Sequence, residues 1–209
     1  ADIHEAVRLS PTHISTYCLT FEEDTALYVK LSQGKVSIDE NKELRLYERG
    51  WELLDELGYK QYEISNFSRA DTGARGECSH NINTWRMHEW IGCGPSAASQ
   101  YRGERYQRPA NLEKWSVALD GLDFPKTERV ELSDDILLTD AIVFGLRMNS
   151  GVDLESLYAR FSQATCRSDL EATLVNFRSE GLVDLMGSKA RLTHRGRLLC
   201  DAVGSALIK

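Results

Sequence analysis

The densest grouping of chemically capable side chains lies in Glu77–Trp85, ECSHNINTW, which holds Cys78, His80, Asn81 and Trp85. A neutral imidazole is a good iron ligand, which makes His80 a candidate for metal contact. The alternative is a histidine that hydrogen-bonds a buried loop. Cys78, His80, His88 and Cys93 are also zinc-ligand types. Their spacing matches no common zinc pattern, and two ligands one residue apart need a special turn. Upstream, in YKQYEISNF (Tyr59–Phe67), Glu63 and Ser65 alternate with Tyr62, Ile64 and Asn66. Alternation puts Glu63 and Ser65 on one face of a strand. On the luminal face of a barrel-like sheet Glu63 is a pocket carboxylate. Packed under helices it needs a partner, such as an Arg of the next loop like Arg86. Gly92, Gly94 and Pro95 either let backbone approach a ligand or form a plain tight turn.

These residues need elements to hold them. Ile3, Ala6 and Val7 fall at helical spacing, and Ser10-Pro11 ends that helix. HISTYCLTF (His13–Phe21) reads as a strand, followed by a loop. Ser37 and Glu40 have capping-box spacing ahead of an apolar stripe, Leu44, Tyr47, Trp51, Leu54 and Leu57, which Gly58 closes. With Tyr59–Phe67 as the next strand, the order strand, helix, strand predicts a βαβ unit with parallel strands. Ser68 to Tyr106 shows little periodicity, and a long irregular segment is more often functional than idle.

The texture changes at Phe124-Pro125, which sets the predicted boundary between domains 1–125 and 126–209. Ser133 caps a helix to about Met148, a second starts near Asp153, and a third from Ser168 carries Leu170, Leu174 and Phe177 on one face. Leu182–Met186 and Ala190–Thr193 flank Gly187-Ser188-Lys189 as a hairpin, and a last helix runs from His194. Helices, hairpin and helix resemble a winged helix.

The sequence has 209 residues, 42% hydrophobic and 27% charged, with a net charge of −7. That is long enough for one or two domains with real cores. No apolar run is long enough for a membrane-spanning helix. An acidic chain makes a poor general nucleic-acid binder. Lys189, Arg191, Arg195 and Arg197 cluster at the supposed wing, yet residues 126–209 hold 11 basic and 12 acidic residues. A lid or docking module therefore fits better than a DNA reader. The five scattered cysteines, Cys18, Cys78, Cys93, Cys166 and Cys200, without any C-x-x-C, read as reduced cytosolic thiols. The sequence starts at Ala1, without Met, inside a helical pattern. A missing N-terminal segment is the corresponding expectation, and it weakens any argument from the lack of a signal peptide.

Several long motifs together resemble one family. SPTHISTYCLTFEEDT (Ser10–Thr25) is similar to the segment closing the barrel of HemN/HemW-type radical-SAM proteins. GYKQYEISNFS (Gly58–Ser68) resembles their G-Y-x-x-Y-E-I-S-N-F-A strand, and ECSHNINTW their C-x-H-N-x-x-Y-W motif. WIGCGPSAAS (Trp90–Ser99) resembles their glycine-rich turn, and LMGSKARLTHRGRLLCDAV (Leu185–Val203) their last hairpin and helix. The order is right and nearly the whole chain is covered. Two positions depart from the family: Thr84 stands where its motif has Tyr, and Ala98 where its turn has His.

The resemblance implies an α/β fold: the last strands of a partial (β/α) radical-SAM barrel, then a small C-terminal winged-helix-like α+β domain. It implies a cytoplasmic, tetrapyrrole-linked role in the intact protein. That role is haem chaperoning, or oxygen-independent coproporphyrinogen III oxidase-like chemistry in porphyrin biosynthesis, and the shorter motifs lean toward the chaperone. The haem or porphyrin contacts it points to are His80, Asn81, Trp85, Tyr62, Glu63 and Asn66; no catalytic residue is identified. The family's C-x-x-x-C-x-x-C motif and glycine-rich S-adenosylmethionine (SAM) segment are absent from this sequence. The [4Fe–4S] cluster and SAM are thus implied for the intact protein and not for this chain. On its own the chain is expected to be inactive, because reductive cleavage of SAM needs the cluster. Its expected partners are haem or porphyrin, the missing N-terminal half of the barrel, and a second copy through exposed strand edges. The readings from other classes are a winged-helix nucleic-acid-binding protein and a purely structural or docking fragment.

Overall fold

The computed structural model describes residues 1–121 and 125–208. The chain packs as two compact units, Ala1–Glu77 and Cys78–Lys209. Of the Phe124-Pro125 boundary expected from sequence, Phe124 lies outside the described residues.

The first unit opens with α1 (Asp2–Arg8), which stops before Ser10, at φ +52, and Pro11. β1 (His13–Ser15) keeps only the start of the expected strand. α2 (Ala26–Ser32), capped by Thr25, occupies what reads as a loop. It is seven residues long and buries none of them fully. α3 (Glu40–Glu56) is the helix of the apolar stripe, and it buries Trp51 and Leu54. Its cap is Asp39, whose carboxylate accepts the Lys42 N–H at 3.0 Å, in place of the expected Ser37. Gly58, at φ +84, turns the chain out of the helix at little steric cost.

The strand expected over Tyr59–Phe67 is two strands, β2 (Tyr59–Gln61) and β3 (Asn66–Arg69), paired antiparallel with Gln61 opposite Phe67. β3 sits between β1 and β2, antiparallel to both. The parallel βαβ unit is therefore corrected. β1 and β2 run the same way, but β3 separates them. The cause is local: the Glu63 carboxylate accepts the Ser65 N–H at 2.7 Å and Tyr62 N–H donates to the Asn66 carbonyl at 3.1 Å. Such side-chain-to-backbone bonds fold the chain back into a turn. A 3-10 segment, Ala70–Gly76, closes the unit.

The second unit starts with α4 (Ser79–Trp85), followed by the hairpin of β4 (Ala98–Tyr101) and β5 (Glu104–Gln107), α5 (Leu112–Asp120) and β6 (Thr127–Glu131). β4, β5 and β6 form one antiparallel sheet in that order. The segment that lacked periodicity thus holds a helix and a hairpin. Next come α6 (Asp134–Gly145), β7 (Val152–Asp153), α7 (Leu154–Arg160), α8 (Arg167–Ser179), β8 (Val183–Met186), β9 (Lys189–Leu192), α9 (His194–Leu198) and α10 (Cys200–Leu207). Ser133 caps α6 as expected, and α7 starts beside Asp153 as expected, with Asp153 as its cap. The Gly187-Ser188 hairpin is present, with Met186 opposite Lys189, and β9 lies between β7 and β8. Leu138 and Ile142 of α6, Leu174 of α8, Val183, Ala190 and Val203 are buried almost completely and form the core here. Arg105 crosses from β5 to Asp140 of α6 at 2.7 Å. Among the described residues no helix is long and apolar enough to cross a membrane.

Candidate functional site

The six candidate contacts divide between the units. In the first, Tyr62, Glu63 and Asn66 surround the β2–β3 turn. The Tyr62 hydroxyl lies 2.9 Å from His13 Nε2, and Ser15 donates to Asn66 Oδ1 at 2.5 Å. Glu63 and Asn66 are buried. Tyr47 of α3 donates its hydroxyl to the Ile64 carbonyl at 3.3 Å. Burial holds the His13 imidazole below its ordinary pKa, while the Glu63 charge pulls it upward. Burial also raises Tyr47, and Cys18 adds to the shift. This cluster joins β1, α3 and the turn by polar contacts.

In the second unit, α4 presents His80 in its first turn. Cys78 is the N-cap, and His80 is exposed. Thr84, standing where the family motif has Tyr, bonds back to the His80 carbonyl at 3.1 Å. Asn81 is half-buried. Trp85, at the end of the helix, faces the unit's own core and stacks on Phe144. Asn83 donates to the Glu89 carbonyl at 3.1 Å, which holds the turn after the helix. The motif thus leaves His80 open to a ligand and uses Trp85 as an anchor.

Among the described residues, no three His, Cys, Asp or Glu side chains converge as metal ligands. Cys78, His80, His88 and Cys93 therefore form no zinc set, and the five cysteines are not disulfide-bonded. The residues present do not fit a [4Fe–4S] cluster, which takes three or four thiolates brought together. His88, three residues beyond the motif's helix, was read from sequence only as part of the zinc set. The structure lines a cavity with it, together with Arg86 and Arg160. Nothing in the spacing could have shown this, because Arg160 is far away in sequence.

With the geometry in place, comparison with known proteins defines the class. Residues 132–199 match the HemN C-terminal domain family. The fold matches a solved structure titled "Coproporphyrinogen III oxidase (HemN) from Escherichia coli is a Radical SAM enzyme", with a TM-score of 0.73 and 16% identity over 98% of this chain and 50% of that one. The chain is similar along its length to HemN/HemW-type proteins and corresponds to their C-terminal part. It is 31% identical to the heme chaperone HemW of Mycobacterium tuberculosis over 99% of its length and 50% of the relative's. It is 32% identical to the mitochondrial radical S-adenosyl methionine domain-containing protein 1 of Danio rerio, over 72% of this chain and 35% of that protein. The chain spans about half the length of the HemW relatives that it matches along its whole length.

Proposed function

We propose that this chain is the tetrapyrrole-facing C-terminal part of a cytoplasmic radical-SAM protein of the haem-chaperone type, and that His80 is its axial haem ligand. The observation that carries the reading is the collinear match to a heme chaperone along 99% of the chain, with His80 exposed on the first turn of α4. Asn81 lies beside His80, and Tyr62, Glu63 and Asn66 are the further candidate contacts. In the intact protein a [4Fe–4S] cluster and SAM would belong to residues outside this sequence. Oxidative decarboxylation of coproporphyrinogen is the second reading, supported by the likeness of fold to HemN.

The architecture supports finer assignments of the same kind. β1 and β2 run in one direction and are the outer strands of their sheet, as strands of a partial barrel continued by neighbours would be. For residues 126–209 the order α6, β7, α7, α8, β8–β9 hairpin, α9, with β9 central, supports a winged-helix-like docking or lid module. Five cysteines without a disulfide among them suit a reducing compartment.

The test is a haem titration of the full chain, followed at the Soret band. His80→Ala is expected to shift the band and weaken binding more than His88→Ala does. Identical spectra and affinities for wild type and His80→Ala would remove His80 as ligand.

A further inference from the structure

A cavity of about 320 Å³ lies where the chain leaving α4 meets α6 and the β7–α7 corner. Met148, Val152 and Leu157 give it an apolar wall. Three further side chains of its lining, Arg86, His88 and Arg160, are exposed and basic. The one carboxylate in the lining, Asp153, is already committed. Its Oδ1 accepts the Ser156 N–H at 2.9 Å and its Oδ2 accepts the Ser188 hydroxyl at 2.7 Å.

The basic side is built rather than incidental. Arg160 donates to the Arg86 carbonyl at 2.8 Å and to the Met87 carbonyl. That clamp holds Met87, a residue only 3% exposed, at φ +53. A positive φ at a bulky non-glycine residue persists only where its surroundings enforce it, and such residues gather at functional sites. Burial lowers the pKa of the His88 imidazole, and the Arg160 and Arg86 charges lower it further. Like charges gathered beside an apolar wall are relieved by an anion.

We propose that this cavity binds the carboxylate edge of an amphipathic anion, a propionate arm of a tetrapyrrole, with Arg86 and His88 as its contacts and Arg160 holding the turn that presents them. The proposal rests on the tetrapyrrole reading above and deepens it. Guanidinium–carboxylate bonds are among the stronger hydrogen bonds, and an apolar wall suits the ring edge. The volume sits at the lower end of the range for small-molecule pockets, about 300–1,000 Å³, so it takes an edge and not the whole macrocycle.

The test uses the full chain and iron-free protoporphyrin IX, followed by its fluorescence. Without iron there is no axial ligation, so this probe reads the carboxylate contacts apart from any bond between His80 and iron. Arg86→Gln and His88→Gln should each bind roughly ten-fold more weakly, the scale of one hydrogen bond to a charged group. Arg86→Lys should recover part of the loss. Protoporphyrin IX dimethyl ester, which lacks the charges, should bind wild type roughly ten-fold more weakly as well. Both side chains are exposed, so the variants should fold, and circular dichroism checks that they do. Wild-type affinity in Arg86→Gln and His88→Gln, or equal binding of the ester, would overturn the proposal. The haem reading would survive that result if His80→Ala still shifted the Soret band. Failure of wild type to bind any porphyrin would overturn both.

Discussion

Trp85 stacks on Phe144, with ring centroids 5.7 Å apart and planes 12° from parallel. The Arg147 guanidinium lies 5.0 Å from the same indole. Phe144 sits at the C-terminal end of α6 and Arg147 two residues beyond it, so the last residue of α4 is pinned there while His80, a turn and a half earlier, stays exposed. The motif therefore combines an anchor with a presented imidazole. Trp85→Ala should destabilise the second unit by about 2 kcal/mol, below the ~3–5 for a fully buried Trp, because Trp85 is only half-buried. Trp85→Phe should keep most of the stack. Urea unfolding followed by far-UV circular dichroism reads this, and an unchanged midpoint for Trp85→Ala would refute the anchoring role.

Gly151 joins α6 to β7 at φ +64, and a Cβ there would lie 2.1 Å from the Ala190 carbonyl oxygen. That oxygen belongs to β9, the central strand of its sheet, which cannot yield without breaking the pairing of Val152 with Ala190. Gly151→Ala combines backbone strain with overpacking and should cost about 3 kcal/mol. Gly187→Ala, also at positive φ but with no atom within 4 Å of its Cβ, should cost only the strain, about 1 kcal/mol. Equal losses in the two variants would show that close approach is not the reason for glycine at position 151.

How much of this was legible in sequence depended on whether the signal was local. The Ser133 cap, the helix start beside Asp153, the Gly187-Ser188 turn and the α8 stripe of Leu170 and Leu174 are local, and the structure has all of them. The break between β2 and β3 was missed because Tyr59–Phe67 alternates as an unbroken strand would. The Glu63-to-Ser65 bond that folds it back adds nothing to that pattern. α2 was missed because it is short and buries no residue fully. The helix of the ECSHNINTW motif was missed for a related reason: its seven residues, only two turns, bury none fully. His80 was nominated from its motif, and the structure places it exposed in the first turn of α4. The Arg160 clamp on Arg86 and Met87 spans more than seventy residues of sequence, and no spacing rule reaches that far.

The outer strands β1 and β2 of the first sheet pair only on their inner side among the described residues. Just after β1, Tyr17 and Leu19 are 71% and 59% exposed, so apolar surface adjoins an open strand edge. Such edges recruit further strands. The full chain should therefore self-associate as concentration rises, and Tyr17→Lys with Leu19→Lys should restore the monomer. Sedimentation equilibrium measures this. A clean wild-type monomer at high concentration would refute it.

Asp135, in the first turn of α6, holds the segment ahead of α8. It accepts the N–H groups of Thr165 at 2.6 Å and Cys166 at 2.9 Å, and the Thr165 hydroxyl at 3.1 Å. Each bond favours the ionised carboxylate, led by that from the Cys166 backbone, and together they hold its pKa at about 2. The unfolded chain should titrate near the ordinary aspartate value of about 3.9. A depressed folded pKa contributes stability that is fully present above the unfolded value and is lost as pH falls through the folded one. The Asp135 contribution should thus be constant above about pH 5 and fade between about pH 4 and pH 2. Asp135→Asn keeps the shape but offers one neutral acceptor oxygen. The thermal midpoint of wild type should exceed that of Asp135→Asn by a constant margin at pH 5–8, and the margin should shrink toward pH 2. A margin that stays constant down to pH 2 would show that the carboxylate charge is not what these bonds exploit.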